Sequence, residues 1–374
     1  MKVLVSVFNN LYTDQRVEKV CRTLCENGYQ VELIGNNWGG LPEMKRPYPF
    51  SRISLQSKTL KSAYPEFNWK LYAELLKKAD ENTILLANDL DTLLANWLVS
   101  RKKSIPIVFD SHEIFTEMPA INGRFNQKIW RALQKMIVPK LKWMMTASES
   151  YADWFAKTYQ MERPVVVQNF PLSIANPQDY TEHNSPKIIL YQGVINPSRG
   201  LDKMIVAMQN IRGAEFWICG DGPRKEEYVA LAKSLSLEGK VKFLGKLLPD
   251  KLREITRKAD VGLSIEENNG LSYYYSMPNK VSDYIQQRVP VVVSGFPEMR
   301  KVVDGFNAGE KIANHDQLSS KIETVLNHGK YYYKEQLDAA ASVLCWENEA
   351  PKILELFKNV AGHNSETESV TLQK

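Results

Sequence analysis

Short apolar runs alternate along the chain with longer stretches whose apolar positions recur every three or four residues. Residues 2–8 (KVLVSVF) read as a buried strand, and residues 13–27 as a helix that stops before Gly28, a residue suited to the position after a helix. Residues 29–34 supply a second strand. The cycle continues with strands at 53–56, 83–87, 105–110, 143–147 and 164–167, and with helices at 68–79, 91–102, 125–138 and from Ser148. Near-continuous apolar strands separated by helices predict a parallel sheet covered on both faces.

Between residues 169 and 186 the chain turns polar and proline-rich (NFPLSIANPQDYTEHNSP), which predicts a linker. A second alternating series follows. Its strands are at 187–192, 215–219, 242–244, 260–265 and 290–294, and its helices at 201–210, 225–236, 249–258, from Pro278, and near 317–326. The expected class is therefore α/β, with two doubly wound parallel-sheet domains, residues 1–168 and 187–345, and a helix over residues 346–361. Residues 362–374 (GHNSETESVTLQK) are polar, lack an apolar face and are expected to be disordered.

Length supports the division, since 374 residues exceed one ordinary core. An apolar fraction of 44% and a charged fraction of 24% are those of a soluble globular protein. No apolar run reaches the length that spans a bilayer, and the first residues read as a strand rather than a signal peptide. Four cysteines (Cys21, Cys25, Cys219, Cys345) are too scattered for a disulfide framework, and a cytoplasmic protein is expected. The net charge of +5 suits anionic substrates or a membrane surface and does not by itself point to nucleic acid. Around residues 125–142, RFNQKIWRALQKMIVPKLKW mixes large apolar and basic side chains. Such a helix is open to two readings, a membrane-surface element at the inner face of the plasma membrane or an ordinary helix with a solvated basic face.

Ligands of doubly wound sheets bind beyond the carboxyl ends of the strands, which shortens the search for chemistry. One such end is Asp110-Ser111-His112-Glu113, where two carboxylates flank a histidine that could be oriented or charged by them. Another runs from Gln192 and Gly193 to Arg199 and Gly200, where Arg199 could clamp a phosphate. Gly220-Asp221-Gly222 is a further glycine turn between strand and helix. The richest is residues 263–298, LSIEENNGLSYYYSMPNKVSDYIQQRVPVVVSGFPE. Here Pro278 opens a helix whose first turn holds Asn279 and Lys280, with Asp283 one turn on. Exposed N–H groups, the helix dipole and an ammonium would attract an anion, and Asp283 could accept from sugar hydroxyls. A surface ion pair between Lys280 and Asp283 is the alternative. Asp89-Leu90-Asp91 has the spacing of a metal-holding carboxylate pair, but it precedes a helical run, and capping with dipole complementarity accounts for it.

Taken together, FDSHE, YQGVINPSRGLDKMI, FWICGDGPRKEEY with VKFLG, and SMPNKVSDYIQQRVPVVVS resemble the retaining GT-B glycosyltransferases, in particular the family 4 group, also called glycosyl transferases group 1. The resemblance spans nearly the whole chain. It implies two Rossmann-like domains facing a central cleft, with the acceptor on the N-terminal side and a nucleotide-diphosphate sugar on the C-terminal side. It also implies that the last helix returns to the first domain. His112 matches the family's histidine near the transferred sugar, with Glu113 beside it. The family's basic pair on the diphosphate maps onto Arg199, at the usual lysine position, whereas Val194 stands where an arginine is usual and Lys280 is the expected substitute. In the family's E-x7-E motif, Asp283 takes the second, ribose-binding position and Tyr275 the first, which leaves Glu266 or Glu267 to contact the sugar. The implied donor-binding set is thus Gly193, Arg199, Gly222, Glu267, Asn279, Lys280 and Asp283.

The expected reaction displaces a nucleoside diphosphate from a hexosyl anomeric carbon by an acceptor hydroxyl on a glycan or lipid-linked molecule, as in bacterial surface polysaccharide biosynthesis. Positioned cations and a helix N-terminus would hold the leaving charge without metal or cofactor, and cleft closure would exclude water. A nucleotide-sugar epimerase and a catalytically inactive nucleotide-sugar-binding subunit are the rival readings. A dehydrogenase is disfavoured, because Phe8-Asn9-Asn10-Leu11 after the first strand lacks the dinucleotide glycines.

Overall fold

The computed structural model describes residues 1–12, 14–39, 43–175 and 185–371, with residues 364–371 by backbone alone. It divides into two compact units: Met1–Gln168 together with Glu349–Lys374, and Asn169–Asn348.

In the first unit the described elements run β1 (Lys2–Ser6), α1 (Gln15–Glu26), β2 (Gln30–Asn36), β3 (Phe50–Ile53), α2 (Leu60–Lys78), β4 (Thr83–Asn88), α3 (Leu90–Lys103), β5 (Ile107–Ser111), α4 (Phe125–Ile137), β6 (Trp143–Thr146), α5 (Glu149–Tyr159) and β7 (Val165–Val166). The sheet order is β3-β2-β1-β4-β5-β6-β7, and the pairings between neighbours are parallel. Sheet position explains the residue pattern. The central strand β4 is buried at every position, because helices cover both its faces, and so it reads as an unbroken TILLAN. The edge strand β3 is only half-buried throughout. Helix starts follow local chemistry: Asp14 accepts from the amide of Val17 to cap α1, and Ser148 accepts from that of Tyr151 to cap α5.

The second unit continues with β8 (Lys187–Gln192), α6 (Leu201–Ala207), β9 (Ala214–Cys219), α7 (Lys225–Ser234), β10 (Val241–Gly245), α8 (Pro249–Lys258), β11 (Val261–Ser264), α9 (Leu271–Tyr274), α10 (Asn279–Gln286), β12 (Val291–Ser294), α11 (Pro297–Phe306), β13 (Gly309–Ile312), α12 (Leu318–Tyr332) and α13 (Lys334–Val343). Its sheet order is β10-β9-β8-β11-β12-β13, again parallel. Both sheets therefore grow first to one side of their opening strand and then to the other. The order reverses between β1 and β4 in one unit and between β8 and β11 in the other, the places where doubly wound sheets take ligands.

Several expected boundaries move. Helix α2 begins at Leu60, well before residue 68, and carries Pro65 inside it. Pro65 is the sixth residue of this helix, past the first turn, so its missing N–H leaves the Lys61 carbonyl without its helical bond. The last helix, α14 (Trp346–Thr371), continues beyond residue 361. The expectation of disorder over residues 362–374 is thus corrected for 362–371, whose backbone is helical, while 372–374 lie outside the described residues. The polar text there fixes no packed face, but it holds neither glycine after Gly362 nor proline to stop a helix already propagating from Trp346. Of the expected linker, residues 176–184 also lie outside the described residues.

Candidate functional site

The first unit gathers polar side chains where its strand order reverses. Ser6 ends β1 and Asn88 ends β4. The Asn88 amide donates to the Ser6 carbonyl at 3.1 Å, and Asn96 of α3 donates to the Ser6 hydroxyl at 2.6 Å. Next to this buried pair, β5 delivers Asp110 and His112. The Arg16 guanidinium of α1 makes a two-point contact with Asp110, Nε to Oδ2 at 2.9 Å and Nη2 to Oδ1 at 2.7 Å, and also donates to the Val167 carbonyl. Burial alone would raise the Asp110 carboxyl, but Arg16 and then His112 outweigh it and hold it at about 2. His112 packs its Nε2 3.3 Å from Asp110 Oδ2 and 3.1 Å from Asn88 Oδ1. Its Nδ1 lies 3.2 Å from Asp89 Oδ2, and its amide donates to Asp89 Oδ1 at 2.9 Å. Burial pulls the ring downward, yet Asp89 and Asp110 raise it to about 9.

The capping reading of Asp89-Leu90-Asp91 is corrected for its first member. Asp89 precedes α3 but makes no side-chain cap bond, because its carboxylate is turned to His112. Its backbone (φ 58, ψ 168) sits in a region that non-glycine residues avoid at a cost of about 1–3 kcal/mol, the kind of strain that collects at functional sites. Asp91 lies in the first turn of α3, where a carboxylate complements the dipole, but it is buried and its Oδ1 has no hydrogen-bond partner. Burial, then Asp89, push its carboxyl well above the usual range. Glu113 is half-buried, its carbonyl accepting from the Ser111 hydroxyl at 2.8 Å.

In the second unit, β8 and β11 flank the reversal and two cations converge there. Glu266 follows β11 and is 2% exposed. Its Oε1 accepts from Lys280 Nζ at 2.7 Å and lies 3.4 Å from Arg199 Nη1, while its Oε2 accepts from the Ser264 hydroxyl at 2.8 Å. The Ser294 hydroxyl holds its carbonyl. Burial opposes this carboxylate, but Lys280 and Arg199 lower its pKa below the ordinary value. Both cations also lie over aromatic faces, Lys280 Nζ 4.2 Å from the Tyr191 ring centre and Arg199 Cζ 4.7 Å from that of Tyr273. Lys280 is therefore the partner of Glu266 rather than of Asp283, which instead accepts from Gln192 Nε2 at 3.1 Å.

The backbone around these cations is tightly stacked. A Cβ on Gly220 (φ 157) would lie 1.8 Å from the Gly193 carbonyl oxygen, and one on Gly222 would lie 2.5 Å from that of Ile195. The turn after β9 thus supports the loop after β8, whose Ile195 amide donates to Asp221. Gly193 (φ 139) faces Lys280, 3.8 Å from its Cε to the place of a Cβ. Helix α10 starts at Asn279, with Pro278 at the capping position and not in the first turn, and no side chain caps it. Asn279 is exposed and Glu267 half-buried, the Glu267 amide donating to the Ser198 carbonyl.

The structure thus brings Gly193, Arg199, Lys280 and Asp283 to one strand-order reversal, and His112 to the other. Sequence reasoning missed Arg16 and Asp89 as the partners of Asp110 and His112, and Glu266 as the anchor of both cations. Asp89, the residue after β4, and Glu266, two residues after β11, carried a readable signal as carboxylates at strand ends; Arg16, within a helix, carried none. Two families match the chain: that described as Glycosyltransferase Family 4 over residues 14–170, and that described as Glycosyl transferases group 1 over residues 174–341. The two matches together cover most of the chain, which belongs to the glycosyltransferases they describe. No curated protein sequence matches it closely enough to count as a relative. Solved structures share the fold. Sucrose-phosphate synthase from Thermosynechococcus elongatus superposes with a TM-score of 0.78 at 14% identity, covering 97% of this chain and 100% of that one. Anabaena HepE in complex with UDP-glucose gives 0.72 at 14%, covering 96% and 100%. WaaG, a glycosyltransferase involved in lipopolysaccharide biosynthesis, gives 0.65 at 14%, covering 92% and 95%. The two parallel-sheet units are those of the GT-B fold.

Proposed function

We propose that this glycosyltransferase moves a hexosyl unit, with retention at the anomeric carbon and without a metal, from a nucleoside-diphosphate sugar to a hydroxyl of a glycan or lipid-linked acceptor. One observation carries the reading: Arg199 and Lys280, from separate segments, are fixed on buried Glu266 at the strand-order reversal of the second unit. A buried carboxylate spends part of their charge but leaves a net positive, preorganised pair beside the uncapped start of α10, which suits a leaving diphosphate. Asp283 would take the ribose. Glu266 has both oxygens engaged, so Glu267 is the carboxylate assigned to the sugar. His112 and Glu113 are assigned to transfer and to the acceptor in the first unit. That HepE is solved with UDP-glucose makes uridine donors the first to test.

Helix α4 supports a lipid-linked acceptor. Its glutamines point inward, Gln127 to the Thr116 carbonyl and Gln134 to the Tyr159 hydroxyl, while Phe125, Ile129 and Met136 are 78%, 57% and 44% exposed. Exposed Lys128, Arg131 and Lys135 run beside them, an arrangement that fits the headgroup region of an anionic membrane. Among the described residues no helix is long and apolar enough to cross a membrane.

Tyr275, at the family's first carboxylate position, favours the second reading, a subunit that binds nucleotide sugars without transferring them. Thermal-shift screening of nucleotide sugars, followed by transfer assays with the stabilising donor, separates the two. Donor stabilisation with transfer is expected. Stabilisation with neither transfer nor donor hydrolysis would favour the binding subunit, and interconversion of free nucleotide sugars the epimerase.

A further inference from the structure

His112 is fixed at three points, and the geometry determines its state. Its amide is held by Asp89 Oδ1 at 2.9 Å, its Nδ1 lies 3.2 Å from Asp89 Oδ2, and its Nε2 lies 3.3 Å from Asp110 Oδ2 and 3.1 Å from Asn88 Oδ1. Asn88 is itself oriented, since its amide nitrogen donates to the Ser6 carbonyl, which leaves its oxygen toward the ring. A neutral imidazole has one donor and one acceptor nitrogen. Either tautomer would set a bare nitrogen lone pair against a carboxylate.

We propose that Asp89 is a positioning residue of the transfer site: with Asp110 it brackets both ring nitrogens of His112, so the imidazole is held as a fixed double donor and cannot accept a proton during the reaction. This rests on the assignment of His112 to transfer. The other charged groups nearby agree with it. Arg16 lies beyond Asp110 on α1 and balances that carboxylate, and Asp14, Asp91 and Glu113 add negative charge around Asp89 and Asp91. The pKa of His112, raised to about 9 by Asp89 and Asp110 against the opposing effect of burial, is the electrostatic counterpart of the geometry. The backbone adds an independent indication. Glycine would relax at φ 58, ψ 168, yet the position carries a carboxylate whose two oxygens both face His112.

The consequence is that the acceptor hydroxyl does not lose its proton to His112, and that transfer shows no limb from histidine deprotonation between about pH 6 and 8. The test begins on the unliganded wild-type chain, by NMR titration of its histidine rings, with His112 identified through the spectrum of His112→Gln. A His112 midpoint above about 8 is expected, and one near the ordinary 6.5 overturns the proposal. In Asp89→Asn, whose side chain keeps the shape and loses the charge, the midpoint should fall by one unit or more. Transfer should fall about tenfold or more in kcat, with the KM for donor within about threefold, and the remaining activity should acquire a pH dependence near the new midpoint. Unchanged kcat in Asp89→Asn overturns the proposal. Should that variant not fold, the wild-type titration and pH profile decide alone. Failure of the functional reading looks different: no donor supports transfer, while the His112 midpoint, measured without substrate, is unaffected.

Discussion

At the scale of single residues, the second unit's site is organised by a buried anion rather than by its cations. Lys280 and Arg199 were legible in the sequence as basic residues near strand ends, and the alternative reading, an ion pair of Lys280 with Asp283, gives way to a pair of Lys280 with Glu266. Helical spacing makes the pair with Asp283 look natural, and only the packing shows that Glu266, fourteen residues upstream of Lys280, reaches the ammonium first. Replacing Lys280 or Arg199 by Ala should lower transfer about tenfold or more, and near-normal turnover by both variants would sink the diphosphate assignment. Glu266→Gln should do more than slow the enzyme. It removes the charge from one partner of a buried pair, and urea unfolding should show a loss of about 3–5 kcal/mol.

His112 and Asp110 also set a pH dependence of opposite sign at the two ends of the scale. His112 is raised from 6.5 to about 9, so its contribution to stability is complete below about pH 6.5 and lost as pH rises through 9. Asp110 is lowered from 3.8 to about 2, so its contribution is present above about pH 4 and lost as pH falls through 2. Chemical denaturation of His112→Gln should therefore lack the alkaline decline of the wild type, and an unchanged decline would place its cause elsewhere.

At the scale of elements, legibility followed burial on two faces. Central strands such as β4 and β12 announce themselves as unbroken apolar runs, and β8 was readable to the residue. Elements set by tertiary contacts were not. Helix α9 is a single turn after Gly270 (φ 145) inside a loop of tyrosines, and β13 is a half-buried edge strand whose residues GEKI have no apolar alternation. Helix α4 was legible as amphipathic but not in its orientation. Its inner face holds Trp130, Leu133 and Ile137 with Gln127 and Gln134 among them, and the unexpected feature is that Phe125, Ile129 and Met136 stay outside beside the basic residues. If that face meets lipid, sedimentation with vesicles containing anionic lipid should pull down the chain. Phe125→Asp combined with Ile129→Asp should weaken that binding about tenfold or more with transfer to a water-soluble acceptor retained. Equal binding by the double variant would assign the exposed face no membrane role.

At the scale of the whole molecule, the sequence announced two parallel α/β units because each repeats the same strand–helix rhythm, and the linker composition marked the change between them. It pointed to the carboxyl ends of the strands but could not announce which strands flank the reversal, because that follows from strand order, and order depends on pairings between segments far apart in the chain. The residues proposed for the nucleoside diphosphate, from Gly193 to Asp283, all belong to the second unit. Binding of a nucleoside diphosphate should therefore be felt by one unit alone. Hydrogen exchange on the full chain at saturating nucleotide should slow at the loop after β8, around Glu266 and at the start of α10. At a ligand concentration one hundred times Kd, the linked stabilisation would be about 2.7 kcal/mol. The Asp89–His112 region belongs to the other unit and makes none of the contacts assigned to the nucleotide, so its exchange should stay at the unliganded rate. Protection centred on His112 with no change around Lys280 would reverse the assignment of donor and acceptor between the units.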